Sequence, residues 1–359
     1  MTIAVTGSIA YDYIMSFPGR FAEHILPDQI HILSVSFLVD SMRRERGGCG
    51  GNIAYNLTLL GQRPLLLATV GQDAPEYVAW LRERGVDTSG VLQLPDEFTA
   101  SFFVSTDRDN NQIASFYTGA MAKAGRISFK DHHPETIDVA IISPNDPGAM
   151  VKYARECQEL GIPYIYDPSQ QIPRLSPAEL IEGIRGAKAL IVNDYEFGMV
   201  KNQTGLGDEE IRRLTEVVVI TRGERGSTIY TIKGTWEIPS APPRRLADPT
   251  GVGDAYRAGF ITGMCRGLPW DTVGRLGSLA ATYVLEEHGT QRHHYSFDSF
   301  IQRYRETFGD ASELGVLTAQ GSLPPLNPPL QGGKPSSPPF KGGVRGGWGR
   351  EHLARSSPQ

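Results

Sequence analysis

The stretch DPTGVGDAYRAGF, Asp248 to Phe260, brings two glycines and a carboxylate, Asp254, to the start of a segment that reads as a helix. A glycine loop running into a helix N-terminus points several backbone N–H groups at one spot, and the helix dipole favours negative charge there. Asp254 at the edge of such an anion site repels a bound phosphate, which a structural protein has no use for. A kinase uses the same carboxylate as a base for an attacking hydroxyl while the amides hold the developing charge. Read by itself, the stretch is equally an aspartate N-cap after a glycine turn.

A second stretch, RGGCGGNIAYNLTLLG from Arg46 to Gly61, puts four glycines within five residues ahead of Asn52 and an apolar-patterned helix. Glycines let a backbone come close to a ligand. The Asn52 amide can donate to one sugar hydroxyl and accept from another. The plainer reading is a flexible turn followed by an asparagine. The chain carries no G-x-x-x-x-G-K-[ST], G-x-G-x-x-G or H-E-x-x-H sequence, so a dinucleotide-dependent dehydrogenase lacks its fingerprint.

The elements that must position these residues are legible as a pattern. Apolar runs at 2–7, 64–70, 138–142, 163–166, 189–192 and 217–220 alternate with amphipathic segments such as 147–160 and 176–186, the pattern of a parallel sheet with crossover helices. Residues 1–15, MTIAVTGSIAYDYIM, read as a first strand. Residues 99–118 read as two alternating strands about a polar turn, Asp107 to Asn111, and residues 30–41 read as extended. Together these predict a small separate sheet over one end of the main body; a surface hairpin without a role has the same pattern.

The chain has 359 residues, 40% hydrophobic and 21% charged, a soluble globular profile with room for a large core. No apolar run reaches the roughly 18 residues of a membrane span. The N-terminus has no basic region of a signal peptide, and Cys49, Cys157 and Cys265 are not spaced as metal ligands. A cytoplasmic protein with reduced thiols is expected. Residues 318–359 carry a net charge of +4, which leaves −9 on the rest against −5 overall. An acidic body argues against nucleic acid as a partner. In that C-terminal segment NPPLQGGK at 327–334 is echoed by SPPFKGGV at 337–344. Such Pro/Gly-rich composition predicts a disordered, dispensable tail.

These stretches resemble the ribokinase-like, pfkB family of carbohydrate and nucleoside kinases. Gly47, Gly48, Gly50, Asn52, Ala54, Gly61 and Gly71 satisfy the spacing of the family's first signature, and Asp248 to Phe260 the second, except that Val252 stands where the family prefers Ala, Gly or Ser. The resemblance covers about residues 1–305. It implies a three-layer α/β/α domain over residues 1–310, with a mainly parallel central sheet and a β-sheet lid from about 10–45 and 95–120. It also implies roles. Asp254 matches the catalytic base, and Gly251, Val252 and Gly253 the anion-hole amides. Asp12, Gly48 and Asn52 match the substrate-binding set. Asn193 and Glu196 of NDYE match the N-x-x-E motif, with Glu196 ordering Mg²⁺ through water. Thr221, Gly223 and Gly226 of TRGERG match the turn at the nucleotide. NDYE alone is also a plain solvated helix start.

The implied reaction is ATP- and Mg²⁺-dependent phosphorylation at a ribose 5′-hydroxyl. DNNQI at 109–113, DPSQQIP at 167–173 and the second signature resemble the nucleoside-kinase branch, including adenosine-kinase-like and archaeal-type enzymes, with adenosine as the expected substrate. A sugar kinase for ribose or fructose, and a silent nucleotide-binding protein, are the alternatives. Phe37, Phe102, Phe116 and Tyr117 of the lid are candidates to stack on a base or to form lid core. A homodimer through the lid is the assembly the resemblance suggests.

Overall fold

The computed structural model describes residues 1–318. The expected tail, residues 319–359, lies outside the described residues. Thirteen strands occur among those described: β1 Thr2–Thr6, β2 Ala10–Ser16, β3 Ser41–Gly47, β4 Leu65–Val70, β5 Val91–Gln93, β6 Ala100–Thr106, β7 Gln112–Tyr117, β8 Ile137–Ile142, β9 Tyr164–Tyr166, β10 Ala189–Asn193, β11 Val217–Thr221, β12 Ser227–Thr231 and β13 Gly234–Ile238. The helices are α1 Cys49–Leu59, α2 Pro75–Glu83, α3 Pro147–Leu160, α4 Pro177–Ile184, α5 Asp194–Thr204, α6 Asp208–Arg212, α7 Val252–Cys265, α8 Trp270–Leu285 and α9 Phe297–Phe308, with a last short turn of helix beyond them.

Nine strands form the main sheet in the order β13-β12-β11-β10-β9-β8-β1-β4-β5. Those from β11 to β5 run parallel, while β12 and β13 are antiparallel additions at one edge. Side chains alternate between its two faces. Ile3 and Val5 of β1, Val217 and Val219 of β11 pack with α1, α7, α8 and α9. Ala4 of β1, Val218 and Ile220 of β11 pack with α3, α4 and α5 on the other side. A sheet covered on both faces explains why the strand sequences are continuous apolar runs, as in Val217-Val-Val-Ile220.

Helices α7 and α8 cross unusually closely. A side chain at Gly259 would lie 2.5 Å from the Leu276 carbonyl, and one at Gly277 would lie 2.9 Å from that of Tyr256. Glycine at both positions is what lets the two backbones touch.

The second sheet has the order β3-β2-β6-β7. Pairs β2/β3 and β6/β7 are antiparallel and β2/β6 parallel. The expected hairpin at 99–118 is β6 and β7. Two expectations fail. Residues 1–15 are not one strand: the chain leaves the main sheet after Thr6, and β2 belongs to the small sheet, where its partners are 25 to 90 residues away. Residues 30–41 are not a regular strand. Pro27 opens a 3-10 turn through Ile32, and the regular strand begins only at Ser41.

Candidate active site

The parallel strands deliver their carboxyl ends to one rim, and strand order reverses about β1, which lies between β4 and β8. Crevices at such a reversal are where open α/β sheets bind ligands. Here the crevice is a cavity of about 1110 Å³, bounded on one side by the small sheet. All twelve candidate residues line it: Asp12, Gly48, Asn52, Asn193, Glu196, Thr221, Gly223, Gly226, Gly251, Val252, Gly253 and Asp254. Its volume exceeds the usual range for one small ligand, leaving room for two substrates side by side.

The glycine loop behaves as its sequence requires. Gly251 adopts φ 78°, ψ −1° immediately before α7, a left-handed turn that a side-chain-bearing residue enters only with strain. The N–H groups of Gly251 and Gly253 make no backbone hydrogen bond, and that of Val252 makes a long one, 3.4 Å, to the Pro249 carbonyl. These residues line the cavity at the positive end of a helix of 14 residues.

Asp254 sits in the first turn of α7, only 8% exposed. Its Oδ2 accepts a 2.8 Å hydrogen bond from Asn52 Nδ2. Burial raises its pKa, opposed by the nearby Arg257 guanidinium and by hydrogen bonds from Asn52 and Cys49. The Asn52 amide is therefore turned toward Asp254, and its Oδ1 accepts from Gln291 Nε2 at 2.8 Å. On β2, Asp12 pairs with Glu45 of β3 and Phe102 of β6. Burial, then the charges of Glu45 and Asp248, push its carboxyl up to about 6.

Asn193 and Glu196 form a capping box at the start of α5, each side chain accepting at 2.8 Å from the other's backbone N–H. The stretch is thus a helix start as well as a cavity wall. Glu196 Oε1 accepts in addition from Ser169 Oγ at 2.8 Å. Ser169 holds a left-handed φ of 37°, a strained conformation for a serine, at the cavity surface. Mg²⁺ in a phosphoryl-transfer site keeps several waters and takes one or two carboxylates alongside phosphate oxygens. Glu196, fixed at both oxygens by single donors and facing the cavity, suits that outer role. Among the described residues no cluster of three or more His, Cys, Asp or Glu forms a protein cage for a metal.

Two groups at the site were not singled out from the sequence. Asp167, at the end of β9, and Arg257, on α7, form a buried ion pair, with Arg257 Nη2 donating to Asp167 Oδ1 at 2.5 Å and Nε paired with Oδ2. Burial raises Asp167 to about 7 in spite of this partner. DPSQQIP was legible as a motif, but nothing local says that its aspartate meets an arginine 90 residues on. Of the four lid aromatics, Phe102 and Phe116 line the cavity. Phe37 instead packs at 5.0 and 4.8 Å against Phe17 and Phe21 as lid core, and the Tyr117 hydroxyl faces Glu97.

Residues 9–295 match the model of the pfkB family carbohydrate kinases, and the chain belongs to that family. It is accordingly a phosphotransferase with an alcohol group as acceptor. A nucleoside kinase of Methanothermobacter thermautotrophicus is 31% identical over 317 residues, covering 86% of this chain and 96% of that protein. The structure of the Burkholderia thailandensis nucleoside kinase in complex with inosine is 38% identical, with a TM-score of 0.77 over 86% of this chain and 99% of that one. A Thermotoga maritima ribokinase, 16% identical with a TM-score of 0.70 over 85% of this chain and 99% of that one, shares the fold. No helix among the described residues is long and apolar enough to cross a membrane.

Proposed function

We propose that this chain transfers the γ-phosphoryl group of ATP to the 5′-hydroxyl of a nucleoside, with adenosine first among the candidates. The observation that carries the reading is the convergence of one cavity on three kinds of group: the open amides and Asp254 of the α7 loop, Asp12 and Gly48 toward the lid, and the apolar faces of Phe102 and Phe116. In this reading Asp12 and Gly48 hold ribose hydroxyls and the lid rings cover the base. The 5′-oxygen then lies toward Asp254, which takes its proton as the oxygen attacks phosphorus. The N–H groups of Gly251, Val252 and Gly253 receive the charge that develops on the transferred group. Asn193, Thr221, Gly223 and Gly226 form the wall on the nucleotide side. Glu196 would hold Mg²⁺ through water, and the ion would supply neutralisation of phosphate charge. Asn52 differs from the initial expectation in its partners, since its amide is engaged with Asp254 and Gln291, and its role here is to orient the base. Relatives that are nucleoside kinases, one of them solved with inosine, support a nucleoside over a free sugar.

The test is a phosphorylation screen with ATP and Mg²⁺ across adenosine, inosine, guanosine, cytidine, ribose and fructose, with Asp254→Asn as control. The best nucleoside is expected to exceed either sugar by about tenfold or more in kcat/KM, because base contacts made away from the reacting centre also aid orientation. The control is expected to lose about 10²–10⁴-fold in turnover. Equal or better phosphorylation of ribose or fructose would transfer the assignment to a sugar kinase.

A further inference from the structure

We propose that Gln291 is a positioning residue that fixes which way the Asn52 amide faces, and so holds Asp254 Oδ2 as a hydrogen-bond acceptor. The inference rests on the reading of Asp254 as the base. It follows from counting donors and acceptors along one buried chain.

The Tyr77 hydroxyl donates to the Gly47 carbonyl at 2.9 Å. A carbonyl only accepts, so the single phenolic proton is spent there. Tyr77 also lies 2.5 Å from the Gln291 amide, and with its proton committed its oxygen can only accept. The Gln291 atom facing it is therefore Nε2. The same nitrogen lies 2.8 Å from the Asn52 side chain, which must answer with its own acceptor, Oδ1. That leaves Asn52 Nδ2 pointing at Asp254 Oδ2, 2.8 Å away. A second brace comes from Asn56, whose Nδ2 donates to the Asn52 carbonyl at 2.9 Å and whose Oδ1 meets His293 Nε2.

Both N–H bonds of Gln291 are thus used, while its Oε1 is buried without a partner, in a side chain only 6% exposed. An unsatisfied buried oxygen is rare and needs a reason. Turning the amide over would pair Oε1 with the Asn52 nitrogen and leave the Gln291 N–H groups without acceptors instead. Asn52 would then present Oδ1 to Asp254, an arrangement favourable only when Asp254 carries a proton. The orientation that leaves Gln291 Oε1 unpaired is the one that keeps the base deprotonated.

Asp254 is faced from several elements: Arg257 from α7, Asn52 and Cys49 from α1, Asp167 from the end of β9, and Glu196 from α5. Around Gln291 stand Tyr77 and Glu76 of α2, Glu45, Arg44 and Arg46 of β3, Tyr11 of β2, and Arg292. Of the groups about Asp254, Asn52 is the one whose polarity a neighbour can reverse.

Gln291→Glu makes that reversal with little change of shape, because a carboxylate accepts where the amide donated. The readout is the pH dependence of kcat/KM for the phosphorylated substrate, alongside Tm. The acid limb is expected to move up by about one pH unit or more, giving about tenfold lower kcat/KM on the acid side and recovery at high pH. Gln291→Met, which frees Asn52 to turn, is expected to move the limb the same way by less, and serves as the test if the glutamate variant does not fold. A folded variant with an unmoved acid limb overturns the proposal, because a reversed Asn52 amide would withdraw the donor that favours ionised Asp254. A wild-type chain that phosphorylates neither nucleosides nor sugars overturns the base assignment and this proposal together.

Discussion

Asp12, proposed above to hold a ribose hydroxyl, is a carboxylate whose ionisation opposes folding. In the folded chain it holds its proton up to about pH 6, because burial and the charges of Glu45 and Asp248 oppose ionisation. An unfolded aspartate loses its proton near pH 4. The folded state therefore binds the proton more tightly, and its stability falls as pH rises between those two values. Above about pH 6 the ionised side chain costs the fold about 1–3 kcal/mol. Asp12→Asn is expected to raise Tm at pH 8, to change it little at pH 4, and to raise KM for the acceptor about tenfold through loss of a charged hydrogen-bond partner. Melting curves at the two pH values, with KM measured at pH 8, check both halves. A variant that melts lower at pH 8 would show that the charge is stabilised by its surroundings. Glu45 is held differently, by a bidentate pair with Arg292 at 2.9 and 2.6 Å.

Helix α7 carries Val252, Gly253 and Asp254, and its direction is set away from the cavity, at the crossing with α8. Gly259 lies five residues after Asp254, and a methyl group there would press on the Leu276 carbonyl at 2.5 Å and the Gly277 Cα at 2.7 Å. Backbone cannot yield as a flexible side chain does. Gly259→Ala is expected to cost about 1–3 kcal/mol in chemical denaturation. It is also expected to lower kcat, because displacing α7 displaces Asp254 from the Asn52 amide. Loss of stability with kcat unchanged would show that the first turn of α7 is held by α1 and its own loop. Helices α5 and α3 are fixed more locally. The Asn193–Glu196 box was written in four consecutive residues, and Asp146 caps α3 by accepting from the Ala149 N–H at 3.0 Å.

At the scale of the whole molecule, the site exists because two sheets meet. The body of the main sheet supplies the Gly251–Asp254 loop and Glu196; the small sheet supplies Asp12, Phe102 and Phe116. Substrate preference is therefore expected to reside in the lid and phosphoryl transfer in the body. Phe102→Ala is expected to lower kcat/KM for nucleosides by about tenfold, the sum of lost burial and ring stacking. It is expected to leave the rate with ribose within about twofold, since a free sugar offers no base to cover. A parallel fall for both substrates in steady-state assays would mean that the ring shapes the cavity without reading the base.

How much was legible beforehand follows from distance along the chain. The loop at Gly251–Asp254, the glycines before Asn52 and the NDYE box each declare themselves within a few residues, because turns, caps and close backbone approaches are local chemistry. The buried strands were equally plain, since a sheet covered on both faces demands unbroken apolar runs. The antiparallel strands β12 and β13 were missed because neither carries an unbroken apolar run, although β13 alternates polar and apolar residues. So was the division of the first fifteen residues between two sheets, because β2 is defined by partners in β3 and β6. The polar contacts that tune the site are more distant still. Asn52 meets Asp254 across 202 residues, Gln291 meets Asn52 across 239, and Arg257 meets Asp167 across 90. Residue types and spacing determined which chemistry this chain can do. Which carboxylate is paired, which amide faces the base and which aromatic reaches the cavity were decided by packing, because a hydrogen bond or an ion pair depends on proximity in space, on which sequence separation places no constraint.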